Sequence, residues 1–377
     1  MKKVIFLQLN GKSYGGVWQV NKTVGEALIN KGYDVSVVSL RDNRNDEVVQ
    51  HDERLKLRTI NEKDLWSTYH FTEMKSVLKK GKVIEFTKMA ISRIKHDWIL
   101  NKDIKTLQEY IRQQKPDYIV NTHYQLLDMI PEEYLKVTIH EQHSDFSSAY
   151  EHKATRETLK KYNGKIKFLW LTKATMQDAI SEGFQNNYYI YNAVRFETES
   201  SADVINNKKL VTICRLSEQK NISLMIEIAE KIFQDNKFKG WVLEIYGDGE
   251  LKTKLEEKIQ NKKQIKLMGK TNDPKDVLLT SSINLNTSLF EGFAMSILEA
   301  NECGVPTVSL VFGESVYEQI INGKTGIICK GKDDYIKKLA ELMNDNNELL
   351  DLSRNCKAYS SDYHIDKIIA KWLDLLK

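Results

Sequence analysis

Apolar runs of strand length alternate along this chain with stretches whose apolar residues recur at helical spacing, the pattern of a parallel α/β sheet. KVIFLQL (3–9) reads as a strand and GKSYGG as a loop, and Val17, Val20, Val24, Ala27 and Leu28 form one helix face that stops at Gly32. DVSVVSL (34–40) predicts the next strand. Residues 41–115 are polar and irregular, then helical, and strands resume at DYIVNT (117–122), KVTIH (136–140), KIKFLWLT (165–172) and YYIYNA (188–193). The segment RFETESSADVINNKK (195–209) is polar, has no periodicity and predicts a linker. A second alternation follows: strands at LVTICR (210–215), WVLEIYG (241–247), IKLMG (265–269), INLNTS (283–288), PTVSL (306–310) and TGIIC (325–329). Helices are predicted over 222–233, 251–259, from near Ala294, and over 333–344. A last helix, Ile365 to Leu376, is expected to pack back on the first half. Two α/β halves facing each other would line one cleft with strand ends and helix N-termini, where open α/β sheets bind ligands.

The length, 377 residues, agrees with two domains. The chain is 41% apolar and 29% charged with 4 prolines, which excludes low-complexity or disordered arms. The N-terminus has a charged start, but its apolar run, Val4 to Leu9, contains Gln8 and reads as a first strand, not a signal peptide. No stretch approaches the ~18 apolar residues of a membrane span, so a cytoplasmic protein is expected. Cys214, Cys303, Cys329 and Cys356 show no Cys-x-x-Cys pair or zinc spacing and read as buried reduced thiols.

A net charge of +4 gives no argument for nucleic acid. The charge is uneven, however: residues 75–105 carry nine Lys or Arg against three acids, with Ile91, Ile94, Trp98 and Ile99 interleaved. Such a stretch suits peripheral contact with an anionic membrane surface. It equally suits a helical pair with one core face and one solvated face.

The candidate chemistry lies in SLFEGFAMSILEANECGVP (288–306), where Glu291 and Glu299 stand in an otherwise apolar stretch. Glu291 follows a strand and a loop, and Glu299 is expected about two turns into the next helix. Between them, the N–H groups of Phe293, Ala294, Met295 and Ser296 are expected unpaired at the positive end of a helix dipole, a phosphate site. Carboxylates there would repel phosphate, so they are expected to accept hydrogen bonds from flanking hydroxyls. A nucleotide sugar has this pattern: ribose hydroxyls, a diphosphate, then sugar hydroxyls. RLSEQKN supplies Arg215 and Lys220 as the two cations, and YGDGE (246–250) supplies a tight glycine turn. Each feature alone also fits a solvated residue at a strand–helix junction; their joint occurrence at consecutive strand ends carries the reading. No Asp-x-Asp ends an apolar strand, so no metal and no cofactor is expected.

RLSEQKN, IYGDGE, IKLMGK, SLFEGFAMSILEANECGVPTV and EQIINGKTGI together resemble the donor-binding half of retaining glycosyltransferases of family 4, which have the GT-B fold. In the first half, GGVWQVNKTVGEALINKGYDVSVVS, VTIHEQH, LWLTKA and YNAV resemble that family more loosely. The resemblance implies an N-terminal acceptor-binding Rossmann-like domain (1–195, with the helix 360–377) and a C-terminal donor-binding one (206–359). It implies that Arg215 and Lys220 hold the diphosphate and that Glu299 binds the ribose hydroxyls. Glu291 would lie beside the donor sugar, with the backbone of Phe293, Ala294 and Met295 near sugar and phosphate. Gly247, Gly249 and Gly269 belong to the same donor-binding motifs, and Gly15 and Gly16 would approach from the opposite wall. His140 is implied next to the anomeric centre, with His143 as the alternative. Ala294 stands where many members have glycine, which tightens the pocket.

What the resemblance implies is transfer, with retention and without a metal, of a hexose or N-acetylhexosamine from a UDP sugar, UDP-glucose or UDP-GlcNAc. The expected acceptor is a bacterial cell-wall polymer such as teichoic acid. A lipid-linked acceptor of capsular or exopolysaccharide synthesis is the alternative, and a non-catalytic GT-B partner subunit is the rival from another class. "LNGKSYGG" is not Gly-x-Gly-x-x-Gly, which argues against an NAD-dependent enzyme.

Overall fold

The computed structural model describes residues 1–11, 16–41, 51–61 and 83–377. Gly15 and residues 75–82 of the basic stretch lie outside them. The strands are β1 (Lys3–Asn10), β2 (Asp34–Arg41), β3 (Lys56–Asn61), β4 (Tyr118–Asn121), β5 (Thr138–Gln142), β6 (Lys167–Trp170) and β7 (Asn187–Tyr189). A second set follows: β8 (Lys209–Ile213), β9 (Val242–Tyr246), β10 (Ile265–Gly269), β11 (Ile283–Asn286), β12 (Thr307–Leu310) and β13 (Gly326–Cys329).

These strands form two sheets, ordered β3-β2-β1-β4-β5-β6-β7 and β10-β9-β8-β11-β12-β13. Every neighbouring pair of the second sheet is parallel. Both sheets start at a central strand, wind outward, then reverse, the doubly wound order of nucleotide-binding α/β folds. The central strands are buried on both faces, which is why they read as near-continuous apolar runs: β2 is buried at every position after its first. Around the second sheet one core gathers Leu210, Val211, Ile226, Leu243, Ile245, Ile283, Leu285 and Tyr335.

The chain divides into two compact units, Met1–Glu141 with Lys153–Leu169 and Phe184–Asn186, and Gln142–His152 with Trp170–Gly183 and Asn187–Lys377. The last helix, Ile365–Leu375, belongs to the second unit, where Lys371 lies over the rings of Tyr189 and Tyr191.

One strand escapes the sequence reading. KLRTIN (Lys56–Asn61), within the stretch taken as irregular, pairs in parallel with β2 at the sheet edge. An edge strand is half solvated, so charged Lys56 and Arg58 replace the apolar signal. Arg58 lies over the Tyr110 ring, and Asn61 donates to Asp103 at 2.9 and 3.1 Å. Both partners lie on one helix, Val83–Gln114, 32 residues long. Its buried anchors are Met89, Leu107 and Ile111, while Ile91 and Trp98 are exposed.

Candidate functional site

In the second sheet the winding direction reverses between β8 and β11, and the loops leaving their carboxyl ends border the crevice where such sheets hold ligands. The loop after β8 runs into a short 3₁₀ turn, Glu218–Lys220. Asn221 then takes the left-handed conformation, φ 50, and opens the helix Ile222–Phe233. The loop after β11 is tied to it. Thr287 Oγ1 donates to the carbonyls of Lys220 and Asn221 at 3.0 and 3.1 Å. Leu289 N–H donates to Gln219 O at 2.8 Å, and Gln219 Nε2 to Phe290 O at 2.7 Å.

This lacing sets Lys220 against Glu291, whose Oε1 accepts from both the ammonium and, at 2.7 Å, Ser288 Oγ. Glu291 is 7% exposed, so the pair is mostly removed from water. Gln219, Thr287 and Ser288, which fix this geometry, were missed in the sequence because nothing in their spacing marks them. Cys214 stands at the same strand end, and burial pushes its thiol up to about 11 against the pull of Lys220, so it is protonated near neutrality.

Arg215 is held differently: its guanidinium is exposed and lies 3.4 Å from Glu250. Behind it the two loops zip together, with Cys214 N–H donating to Tyr246 O at 3.0 Å and Leu216 N–H to Asp248 O at 2.9 Å. A Cβ on Gly247, at φ 142, would fall 1.8 Å from Cys214 O, and one on Gly249 would fall 2.4 Å from Leu216 O. The two glycines are explained by this backbone approach. Gly269 ends β10 and accepts from Gly247 N–H at 2.8 Å.

The helix after the loop is Met295–Glu302. The expectation of four free N–H groups at its start is corrected at one position: Ala294 N–H donates to Gln319 Oε1 at 3.0 Å. Among the described residues none accepts from Phe293, Met295 or Ser296 N–H. The Phe293 ring is core, packed with Leu171, Val194, Leu298 and Tyr363, so only its backbone is available to a ligand. Met295 packs against the same cluster. Gly292 packs so closely that a Cβ there would lie 2.1 Å from His143 O.

Glu299 is the fifth helix residue, about one turn in, not two. It is 6% exposed and meets Arg195 at 3.1 Å. Burial raises its carboxyl above the usual range, and Arg195 offsets only part of this. From the sequence Arg195 is expected only as the start of a linker. Three residues further along the helix, Glu302 accepts from Thr198 N–H at 2.8 Å, Ser360 Oγ at 2.7 Å and Lys357 Nζ at 3.2 Å, and pairs with His364 Nε2 at 2.8 Å.

His140 is fully buried in the first unit in the middle of β5, which runs two residues past the strand end expected there, with Asn121 Nδ2 at 2.9 Å from its Nδ1 and the Phe168 ring edge-on. His143 falls in the second unit, its carbonyl against Gly292. Gly16 begins the helix Gly16–Asn30, and among the described residues nothing lies within 4 Å of where its Cβ would stand. Among the described residues no group of three or more His, Cys, Asp or Glu side chains is arranged to hold a metal ion. Nor is any helix long and apolar enough to cross a membrane.

Two parallel-sheet Rossmann-like units, the second with its crevice loops laced at the switch point, are those of the GT-B glycosyltransferase fold. Residues 195–360 match the family Glycosyl transferases group 1. An uncharacterized glycosyltransferase of Haemophilus influenzae is 24% identical over the whole of both chains. The poly(ribitol-phosphate) alpha-N-acetylglucosaminyltransferase of Staphylococcus aureus is 28% identical over 63% of this chain and 48% of its own length. An Escherichia coli UDP-Gal:alpha-D-GlcNAc-diphosphoundecaprenol alpha-1,3-galactosyltransferase is 28% identical over 43% and 44%. With these last two, the match spans about half the relative's length. Among solved structures, S. aureus TarM in complex with Fondaparinux, alpha-GlcNAc-glycerol and UDP aligns over 100% of both chains, with a TM-score of 0.78 at 15% identity. Anabaena HepE in complex with UDP and glucose aligns over 100% and 99%, with a TM-score of 0.71 at 15% identity.

Proposed function

We propose that the chain is a retaining, metal-independent glycosyltransferase that moves a hexose or N-acetylhexosamine, from UDP-glucose or UDP-GlcNAc, to a bacterial cell-wall polymer such as teichoic acid. The observation that carries this is the placement of Lys220 beside Glu291 at the switch point, on the same loop as the available N–H groups of Phe293, Met295 and Ser296. Cleavage of the sugar–phosphate bond puts negative charge on the departing diphosphate. Lys220, Arg215 and the helix N-terminus stabilise that charge as it develops, a preorganised electrostatic effect. Glu291 is already neutralised by Lys220, so a diphosphate can approach without meeting an unpaired carboxylate; the glutamate is then free to accept from a sugar hydroxyl. Glu299, steadied by Arg195, takes the ribose hydroxyls.

The acceptor reading is supported by the S. aureus relative, which by its name acts on poly(ribitol-phosphate). A lipid-linked acceptor is the second reading, favoured by the exposed Ile91 and Trp98 on the helix Val83–Gln114, which carries part of the basic stretch. The protein is then peripheral on the inner face of the membrane.

The test is release of nucleoside diphosphate from UDP-, GDP-, ADP- and TDP-sugars in the presence of EDTA, first without acceptor, then with poly(ribitol phosphate) or a diphosphoundecaprenol sugar. Release from a UDP sugar, accelerated by one acceptor, supports the reading and chooses between acceptors. Silence across the panel, with no nucleotide binding, favours the non-catalytic partner.

A further inference from the structure

Gln319 lies in the four-residue helix Val316–Gln319 and is fully buried, and Val316 and Ile320 on either side of it in the chain pack with Ala294, Ile297, Phe312 and Ile328. Its Nε2 donates to Ala294 O at 3.0 Å, and its Oε1 accepts from Ala294 N–H at 3.0 Å. The two partners fix the amide orientation, since only the NH₂ can donate to a carbonyl. One side chain thus holds both polar groups of one backbone residue. Ser315 Oγ donates to Glu291 O at 3.4 Å, so the same turn grips both ends of the loop 291–294.

The turn is itself anchored. The Glu318 carboxylate accepts from Lys173 N–H at 2.9 Å, Ala174 N–H at 2.6 Å and Tyr191 Oη at 2.7 Å. Its carbonyl accepts from Tyr359 and Tyr363 at 2.8 and 2.5 Å. Ala294 immediately precedes the helix Met295–Glu302, at φ −80 and ψ 96. Those two angles set where the N–H groups of Met295 and Ser296 point. Ala294 has its own N–H already engaged and offers a ligand none.

We propose that Gln319 is a positioning residue for the donor diphosphate: by locking the Ala294 peptides from behind, it aims the Met295 and Ser296 N–H groups and withholds that of Ala294. This rests on the reading of the site as a nucleotide-sugar site. In a buried setting the two bonds are strong; their loss leaves the Ala294 N–H without a partner, while its carbonyl keeps only the bond from Ile297 N–H at 3.0 Å.

Gln319→Met keeps the volume and removes both bonds. Hydrogen exchange without ligand should show the Ala294 amide losing protection about tenfold or more. Calorimetry with UDP should show affinity about tenfold weaker, and the KM for UDP-GlcNAc should rise more than kcat falls. Gln319→Glu, which keeps an oxygen for the Ala294 N–H, should recover part of both. Unchanged exchange in Gln319→Met overturns the clamp. Changed exchange with UDP affinity within twofold of the parent overturns the positioning role. If the parent binds no nucleotide, the donor-site reading fails and the positioning role with it, while exchange still reports on the clamp.

Discussion

Lys220 and Glu291 neutralise each other, and either alone would be a costly charge in a mostly buried loop. Lys220→Ala is expected to lower turnover by ~10²-fold through loss of leaving-group stabilisation. Steady-state kinetics alongside far-UV circular dichroism would check that the fold survives; near-normal turnover would remove Lys220 from the site. Glu299 shows the opposite balance between stability and function. Its carboxyl is raised above the usual range, chiefly by burial, so the ionised form is less favourable in the folded chain than in the unfolded one. The group therefore costs stability above its ordinary value, and this cost disappears as pH falls below it. Glu299→Gln should melt higher than the parent at pH 8, with the gap closing toward pH 4. It should also weaken UDP binding by ~1–3 kcal/mol in calorimetry, from a lost charged hydrogen bond.

At the scale of elements, the loop 287–294 is held by three neighbours: the 3₁₀ turn Glu218–Lys220, the turn at Ser315–Gln319 and the backbone of His143. At Gly292 there is no room for a side chain. Gly292→Ala would drive a Cβ into backbone, not into a flexible side chain, and is expected to cost ~1–3 kcal/mol in urea unfolding. An unchanged midpoint would mean that the segment 142–152 yields easily. The helix Met295–Glu302 serves two structures at once. Glu299 faces Arg195, and Glu302 gathers Thr198, Lys357, Ser360 and His364. Although burial opposes it, those hydrogen bonds hold the Glu302 carboxyl below its usual range. Glu302→Ala is expected to destabilise by ~3 kcal/mol, since Lys357 would keep its charge without its carboxylate. The polar segment that reads as a linker is in this way bonded to the helix Met295–Glu302, a fact that its composition conceals.

At the scale of the whole molecule, a ligand that binds only the folded chain raises its stability by mass action, by about 2.7 kcal/mol at a hundredfold excess over Kd. UDP should therefore raise the melting temperature in EDTA, and no shift with any nucleoside diphosphate would contradict a donor site. The alternation of apolar runs and helical spacing determined two parallel-sheet units and nearly every strand, because strands buried on both faces must be continuously apolar. It failed at β3, whose edge position removes that demand. The motifs SLFEGF and RLSEQKN marked in the sequence two loops that the fold brings together at the switch point, since their residue types are legible in order along the chain. Only the tertiary structure decided what each group touches: that Lys220 meets Glu291, that Arg195 meets Glu299, that Phe293 is core, and that Ala294 N–H belongs to Gln319. These partners stand 25 to 104 residues apart in the chain. Hydrogen-bond pairing over such separations is fixed by how sheets stack their loops, which leaves no periodic mark in a sequence.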